Sequence, residues 1–86
     1  MRAKYFGKKC LRNEFGDVVK RFAPEIEISF TEKEVSKAFR RIERMGVERY
    51  DVDACGNAWC IRIPVSDREE GNDVLEAWRL SKKDHA

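Results

Sequence analysis

The sequence lacks an apolar run long enough to cross a membrane, and no signal-peptide pattern follows Met1. It has little cysteine, with three among 86 residues, and an odd number at irregular spacing does not make a disulfide framework. No repeat, low-complexity segment or linker interrupts it. These absences argue against a membrane protein and a disulfide-rich secreted domain. We therefore expect a single domain over residues 1–86, in the cytoplasm, with no membrane partner.

Groups that perform catalysis or bind metal are also scarce. Gly7-Lys8-Lys9 lacks both the first glycine and the hydroxyl residue of a phosphate-binding loop. A zinc site would need Cys10, Cys55 and Cys60 with the lone histidine, His85, and this spacing is loose; half-buried thiols are the favoured interpretation. No pair of nucleophile and base can be assembled. The sequence predicts neither an enzyme nor a metal or cofactor site.

Neither positive nor negative charge is in large excess. The 18 Lys and Arg residues nearly balance the 16 Asp and Glu residues, which leaves a net charge of +2. Net charge therefore does not indicate a polyanionic partner. Its distribution says more, because residues 1–24 carry seven basic and two acidic residues, whereas residues 67–86 carry four and six.

What the sequence does contain is a strongly amphipathic helix. Thr31 and Glu34 form a capping box, and Gly46 occupies the position of a left-handed C′ residue. Between them an apolar stripe recurs at steps of three and four residues. Its members are Val35, Ala38, Phe39, Ile42 and Met45. The pattern predicts a helix from about Glu32 to Met45.

Opposite the apolar stripe lies a basic row, formed by Lys33, Lys37, Arg40 and Arg44 with Arg41 at its margin. Such a row can displace the counterions that condense on a nucleic-acid backbone. The alternative is an ordinary solvated face with ion pairs between turns, such as Glu34 with Lys37.

A β-hairpin follows the helix. Gly56-Asn57 is a type II′ signal and makes Cys55 face Ala58. Counting outward pairs Ala54 with Trp59, Val52 with Ile61 and Tyr50 with Ile63 on one face. The other face pairs Asp53 with Cys60 and Asp51 with Arg62. This register places the large apolar residues together, and a slip by one residue would separate them.

The segments that flank the helix and the hairpin give further predictions. Arg2–Phe6 is equally compatible with a strand and an ordered arm. Asn13 caps a helix that carries Phe15, Val18, Val19 and Phe22 and ends before Pro24. Glu25–Phe30 alternates as a strand with one buried face. Residues 66–72 are expected to be a polar loop, and residues 74–83 a final helix rather than a strand.

The assembled order is α-β-α-β-β with a C-terminal element that we expect to be helical. We predict a small α+β domain in which a three-stranded antiparallel sheet carries the basic helix across its apolar face. Trp59 and Trp78 are expected in the core or in a dimer contact, so the sequence is compatible with a homodimer.

The segment Glu34–Tyr50, followed by the Gly56-Asn57 hairpin, resembles the recognition helix and wing of winged helix-turn-helix DNA-binding domains. The resemblance implies a helix in the major groove that uses Ser36, Lys37, Arg40 and Arg44. It also implies a wing tip at Gly56 and Asn57 that touches the backbone or the minor groove. In this winged-helix-like variant, the strand at Glu25–Phe30 pairs with the base of the wing.

We therefore predict a small regulatory protein that binds nucleic acid, DNA rather than RNA, as in transcription regulation. The expected binding residues are Lys33, Ser36, Lys37, Arg40, Arg41, Arg44, Gly56 and Asn57. The alternative is a protein-binding module, or an inhibitor of a larger nucleic-acid enzyme, of phage or mobile-element origin. Its basic row would dock on an acidic protein surface, and Trp78 or a free sheet edge would anchor it.

Overall fold

The computed structural model describes residues 1–7 and 9–82, without the side chains of residues 9–11, 20–22 and 55. Over these residues the chain is a small α+β domain with a four-stranded antiparallel sheet and two α-helices. The elements in chain order are β1 (Arg2–Phe6), β2 (Lys9–Arg12), β3 (Val18–Phe22), β4 (Glu25–Phe30), α1 (Val35–Met45), β5 (Asp51–Cys55), β6 (Ala58–Pro64) and α2 (Arg68–Leu80). A 3-10 turn at Glu32–Glu34 leads into α1.

The main sheet has the strand order β1-β4-β6-β5, and each neighbouring pair is antiparallel. The predicted strand at Glu25–Phe30 and its union with the hairpin are confirmed. The sheet has a fourth strand because β1 pairs with the other edge of β4, with Tyr5 opposite Ile26. Strand β6 separates β4 from β5, so that β4, α1 and β5 form a split β-α-β unit.

The predicted hairpin register is confirmed from Cys55 opposite Ala58 to Asp51 opposite Arg62. Gly56 has φ of +61°, whereas Asn57 does not have a positive φ, as a type II′ turn requires. Tyr50 lies outside the pairing because β5 begins at Asp51. The ion pair of Arg62 runs diagonally to Asp53, at 2.8 Å, rather than straight across to Asp51.

The predicted helix after Asn13 is wrong, because this segment is the hairpin of β2 and β3. The Asn13 side chain does not cap a helix. Its Oδ1 accepts the backbone N–H groups of Phe15 at 2.9 Å and Asp17 at 3.0 Å, which closes a turn. Gly16 supplies the left-handed residue of that turn, with φ of +84°. Phe15, one of the apolar residues of the predicted helix, is 80% exposed at the tip of the hairpin.

The β2–β3 hairpin is a separate two-stranded sheet that lengthens the molecule. The described chain measures 55 × 30 × 18 Å with a radius of gyration of 14.5 Å. A compact chain of this length would have a radius of gyration of about 12 Å. The hairpin therefore projects as an arm instead of adding to the core.

The core lies between one face of the main sheet and the two helices. The sheet contributes Ile26, Ile28, Phe30, Ile61 and Ile63, α1 contributes Ala38 and Ile42, and α2 contributes Trp78. The predicted position of Trp78 in a buried cluster is confirmed, at 6% exposure. Neither α1 nor α2 has the length and apolar character needed to cross a membrane.

The C-terminal element is a helix, as predicted, but it begins earlier than expected. Residues 68–72 belong to α2, so the predicted loop is wrong over that part. Asp67 is the N-cap and its Oδ1 accepts the backbone N–H of Glu70 at 2.8 Å. The Glu70 carboxylate in turn accepts the backbone N–H of Ser66 at 3.3 Å. This reciprocal capping outweighs the low helix propensity of Gly71.

Gly71 is buried because α2 crosses β1 closely at this point. A Cβ at residue 71 would lie 2.8 Å from Cδ2 of Tyr5 and 3.6 Å from Cδ1 of Ile26. We expect Gly71→Ala to lower the melting temperature, because overpacking costs about 1–3 kcal/mol. Over most of that range, this cost exceeds the gain of about 1 kcal/mol that alanine normally brings to a helix.

The exposed neighbour Asn72 provides the matched control in thermal unfolding. Asn72→Ala should leave the melting temperature unchanged or raise it, because alanine is the better helix former and meets no neighbour. A Tyr5→Leu background should relieve most of the Gly71→Ala effect. A higher melting temperature for Gly71→Ala in the native background would contradict this close approach.

The capping box before α1 is formed. The backbone N–H and the hydroxyl of Thr31 both donate to Oε1 of Glu34, each at 3.0 Å, and the Met1 ammonium group lies 3.0 Å from Oε2. The backbone hydrogen bond from Thr31 is the largest cause that lowers the pKa of Glu34 to about 2, and the hydrogen bond from the Met1 ammonium group follows.

This capping box should make stability depend on pH. A carboxyl group whose pKa is lowered on folding stabilises the folded state above its ordinary pKa of 4.5. That contribution is lost as the pH falls through about 2. We expect the stability difference between the native chain and Glu34→Gln to shrink between these two pH values, as measured by urea unfolding. A difference that stays constant with pH would contradict the role of the Glu34 carboxylate.

Candidate nucleic-acid interface

The basic row of α1 faces solvent, as predicted. Because Ala38 and Ile42 turn into the core, the opposite face must point away from the sheet. Lys33, Ser36, Lys37, Arg40 and Arg44 are all exposed. The ion pair between Glu34 and Lys37 that the alternative of a solvated face included does not form, since Glu34 bonds to Thr31 and Met1 instead. Among the described residues, no carboxylate pairs with Lys37 or Arg40.

Arg41 differs from the rest of the row, because it is 7% exposed and lies between α1 and α2. Its Nε donates to Oγ of Ser81 at 2.9 Å, and one terminal nitrogen donates to the carbonyl oxygen of Trp78 at 2.6 Å. Its guanidinium lies over the Trp78 ring, 3.5 Å from the ring centroid. Arg41 was expected at the margin of a solvent-facing row. Instead its side chain is buried and joins α1 to α2 through these contacts.

The charge of Arg41 is not neutralised by these contacts. Ser81 and Trp78 offer a hydroxyl, a carbonyl oxygen and a ring, all of which are neutral. Burial, and secondly the positive charge of Arg44, lower the pKa of Arg41 from its ordinary value. The guanidinium of Arg41 therefore adds a positive potential behind the exposed row.

A cavity of about 160 Å³ lies where the basic row meets the end of α2. Its walls are Lys37, Arg40, Arg41, Arg44, Ser81 and Lys82. Arg44 also donates from a terminal nitrogen to the carbonyl oxygen of Ser81, at 3.3 Å. Five of the six residues are cationic, so the cavity attracts an anion such as a phosphate group.

Ser81 and Lys82 were not among the predicted site residues. In the sequence, Lys82 and Lys83 only suit the C-terminal end of a helix, and Lys83 lies outside the described residues. Their proximity to α1 depends on how α2 crosses it. The one local signal was the basic pair itself, which has the same sign as the row on α1.

The predicted wing tip does not share the cavity. Gly56 and Asn57 are exposed in the β5–β6 turn, just past the pairing of Phe30 with Trp59. That pairing is at the end of β4 from which the chain enters α1, whereas Arg40 lies at the middle of α1 and Arg44 near its C-terminal end. At 1.5 Å per residue, about 13 Å of helix separates Val35 from Arg44. The wing tip therefore lies near the start of α1, whereas the cavity extends along the helix from Lys37 to Arg44.

The other candidate residues are the cysteines and His85, considered as metal ligands, and the two tryptophans, considered as contact residues. The side chains of Cys10 and Cys55, and the whole of His85, lie outside the described residues. Cys60 is buried. Trp78 is in the core and does not offer the exposed anchor expected for a protein-binding module, whereas Trp59 is 40% exposed.

Comparison with family models, with curated proteins and with solved structures gave no match.

Proposed function

We propose that this domain binds nucleic acid, DNA in preference to RNA, through the solvent face of α1, as a small regulatory protein of the cytoplasm. The observation that carries the proposal is the cationic cavity between α1 and α2. Lys37 and Arg40 line it without an ion pair to any described carboxylate, so their charges are available to phosphate groups.

The cavity would hold a backbone phosphate by charge and hydrogen bonding. Arg40 and Arg44 present planar guanidinium groups that suit phosphate oxygens, and Lys37 adds a point charge. Arg41 is held in place by Ser81 and Trp78, so its potential costs no reordering when the phosphate arrives. Binding would release the counterions condensed around that phosphate and its neighbours.

The winged-helix resemblance suggests how α1 and the β5–β6 hairpin would lie on the DNA. In that geometry Ser36, Lys37, Arg40 and Arg44 enter the major groove, while the wing tip at Gly56 and Asn57 touches the backbone or the minor groove. Apart from the 3-10 turn at Glu32–Glu34, the described elements that precede α1 are strands, so the correspondence covers α1 and the β5–β6 hairpin only.

The test is binding of labelled random-sequence duplex DNA and of single-stranded RNA across a salt series. We expect tighter binding to the duplex and a linear fall of log affinity with log salt concentration. Four or five phosphate contacts predict a slope of about −4 for B-DNA. No binding to either probe at low salt would contradict the proposal and favour an acidic protein surface as the partner of this face.

A further inference from the structure

Strand β5 is an edge strand whose outer side is open. It pairs with β6 on one side, and none of the described residues pairs with it on the other. Asp51, Val52, Asp53 and Ala54 are all exposed. An open edge presents unpaired backbone N–H and C=O groups to which another extended chain can bond.

An apolar groove runs beside this edge, on the core face of the sheet. It encloses about 230 Å³ and is lined by Phe30, Glu32, Val35, Phe39, Val52 and Trp59. Val52 of β5 and Trp59 of β6 are 41% and 40% exposed, so the helices leave this end of the core face uncovered at both strands. The groove is therefore positioned to receive apolar side chains from a strand added to β5.

The opposite face of β5 is acidic. Asp51 and Asp53 both lie there, and Arg62 pairs with Asp53 at 2.8 Å, so the two carboxylates outnumber the one guanidinium. A second copy of β5 would fit poorly. Symmetric antiparallel pairing centred on residue 51, 52 or 53 sets aspartate against aspartate, and like charges directly opposite are destabilising.

We propose that β5 accepts an extended segment of another protein as an added strand. The side chains of this segment alternate, since successive residues of a strand face opposite sides of the sheet. Its apolar residues enter the groove at Val52 and Trp59, and its Lys or Arg residues lie opposite Asp51 and Asp53. This inference is independent of nucleic-acid binding, because β5 contributes no residue to the cationic cavity.

The probe is a fluorescently labelled synthetic peptide in which valine alternates with lysine, compared with one in which glutamate replaces each lysine. We expect the lysine peptide to bind the native chain at least about tenfold more tightly, from two favourable cross-strand charge pairs and the loss of two repulsions. A lysine peptide with a central proline should bind less, because proline lacks the N–H group that the edge requires.

Charge reversal provides the decisive comparison. Asp51→Lys with Asp53→Lys should invert the preference, so that the glutamate peptide binds more tightly, whereas Asp51→Asn with Asp53→Asn should abolish it. Thermal unfolding of each variant shows whether it remains folded, and NMR shift changes should centre on residues 51–59.

Three outcomes would overturn the proposal. The first is an unchanged preference in the folded charge-reversed variant. The second is a set of NMR shift changes confined to α1. The third is a homodimer, measured by sedimentation of the native chain, that the charge reversal dissociates, since this would make a second copy the occupant of the edge.

Discussion

Replacing Lys37 and Arg40 together with glutamate is expected to lower affinity for duplex DNA by about 100-fold or more at low salt, since each reversed side chain removes one phosphate contact and adds a repulsion. Both residues line the cationic cavity and neither pairs with a described carboxylate. The slope of log affinity against log salt concentration should also become shallower by about two. Fluorescence anisotropy across the salt series measures both quantities.

The same double variant should remain folded. Lys37 and Arg40 are exposed, so their replacement should change the free energy of unfolding by no more than about 0.5 kcal/mol. Arg2→Glu with Arg49→Glu is the control, because it makes the same change in net charge at exposed residues that do not line the cavity. If this control weakens binding as much as Lys37→Glu with Arg40→Glu does, net charge and not the face of α1 accounts for affinity.

Arg41→Ala should have the opposite signature, with a large effect on stability. It removes a buried side chain, its hydrogen bonds to Ser81 and Trp78, and its stacking on the Trp78 ring. Hydrogen bonds from a charged donor contribute about 1.5–3 kcal/mol each, and part of this is offset by the cost of burying the charge. We expect a net loss of about 2–3 kcal/mol, which lowers the melting temperature of a domain this size by about 10–20 °C.

Arg40→Ala is the matched control, since it makes the same chemical change at the adjacent position. Arg40 is exposed, so the variant should unfold close to the native temperature. Arg41→Met separates the two sources of stabilisation: recovery of the melting temperature would assign it to apolar packing on Trp78, and no recovery to the hydrogen bonds. Equal melting temperatures for Arg40→Ala and Arg41→Ala would contradict a stabilising contact of Arg41 between the two helices.

Local patterns predicted those elements in which several signals agreed. At α1 the capping box, the apolar stripe and Gly46 all mark the same helix, and Gly46 has the expected left-handed φ of +71°. At the β5–β6 hairpin, the turn residues and the alternation specify one register. Agreement among independent signals makes a local prediction robust, because the alternatives would have to violate each of them.

The errors arose where one residue type suits two structures. Asn13 can cap a helix or close a turn, and the valines that follow it favour a strand. Gly71 interrupts a helix pattern, yet it lies in α2, because the cap at Asp67 outweighs its low helix propensity. Phe39 belongs to the predicted core stripe but is only partly buried, 6.1 Å from the Phe30 ring and 6.2 Å from the Tyr50 ring. Neither neighbour covers its outer side, which opens onto the groove.

Helix α1 shows which features the sequence determines and which depend on the tertiary structure. Its caps follow from Thr31, Glu34 and Gly46. The solvent orientation of Lys37 and Arg40 follows from the spacing of side chains at 100° per residue. The burial of Arg41, the cavity with Ser81 and Lys82, and the exposed edge of β5 depend on where α2 and β1 pack. Those contacts join residues far apart in the sequence, such as Arg41 and Ser81, which are 40 positions apart, and no local periodicity specifies them. Only packing of the assembled sheet and helices selects them.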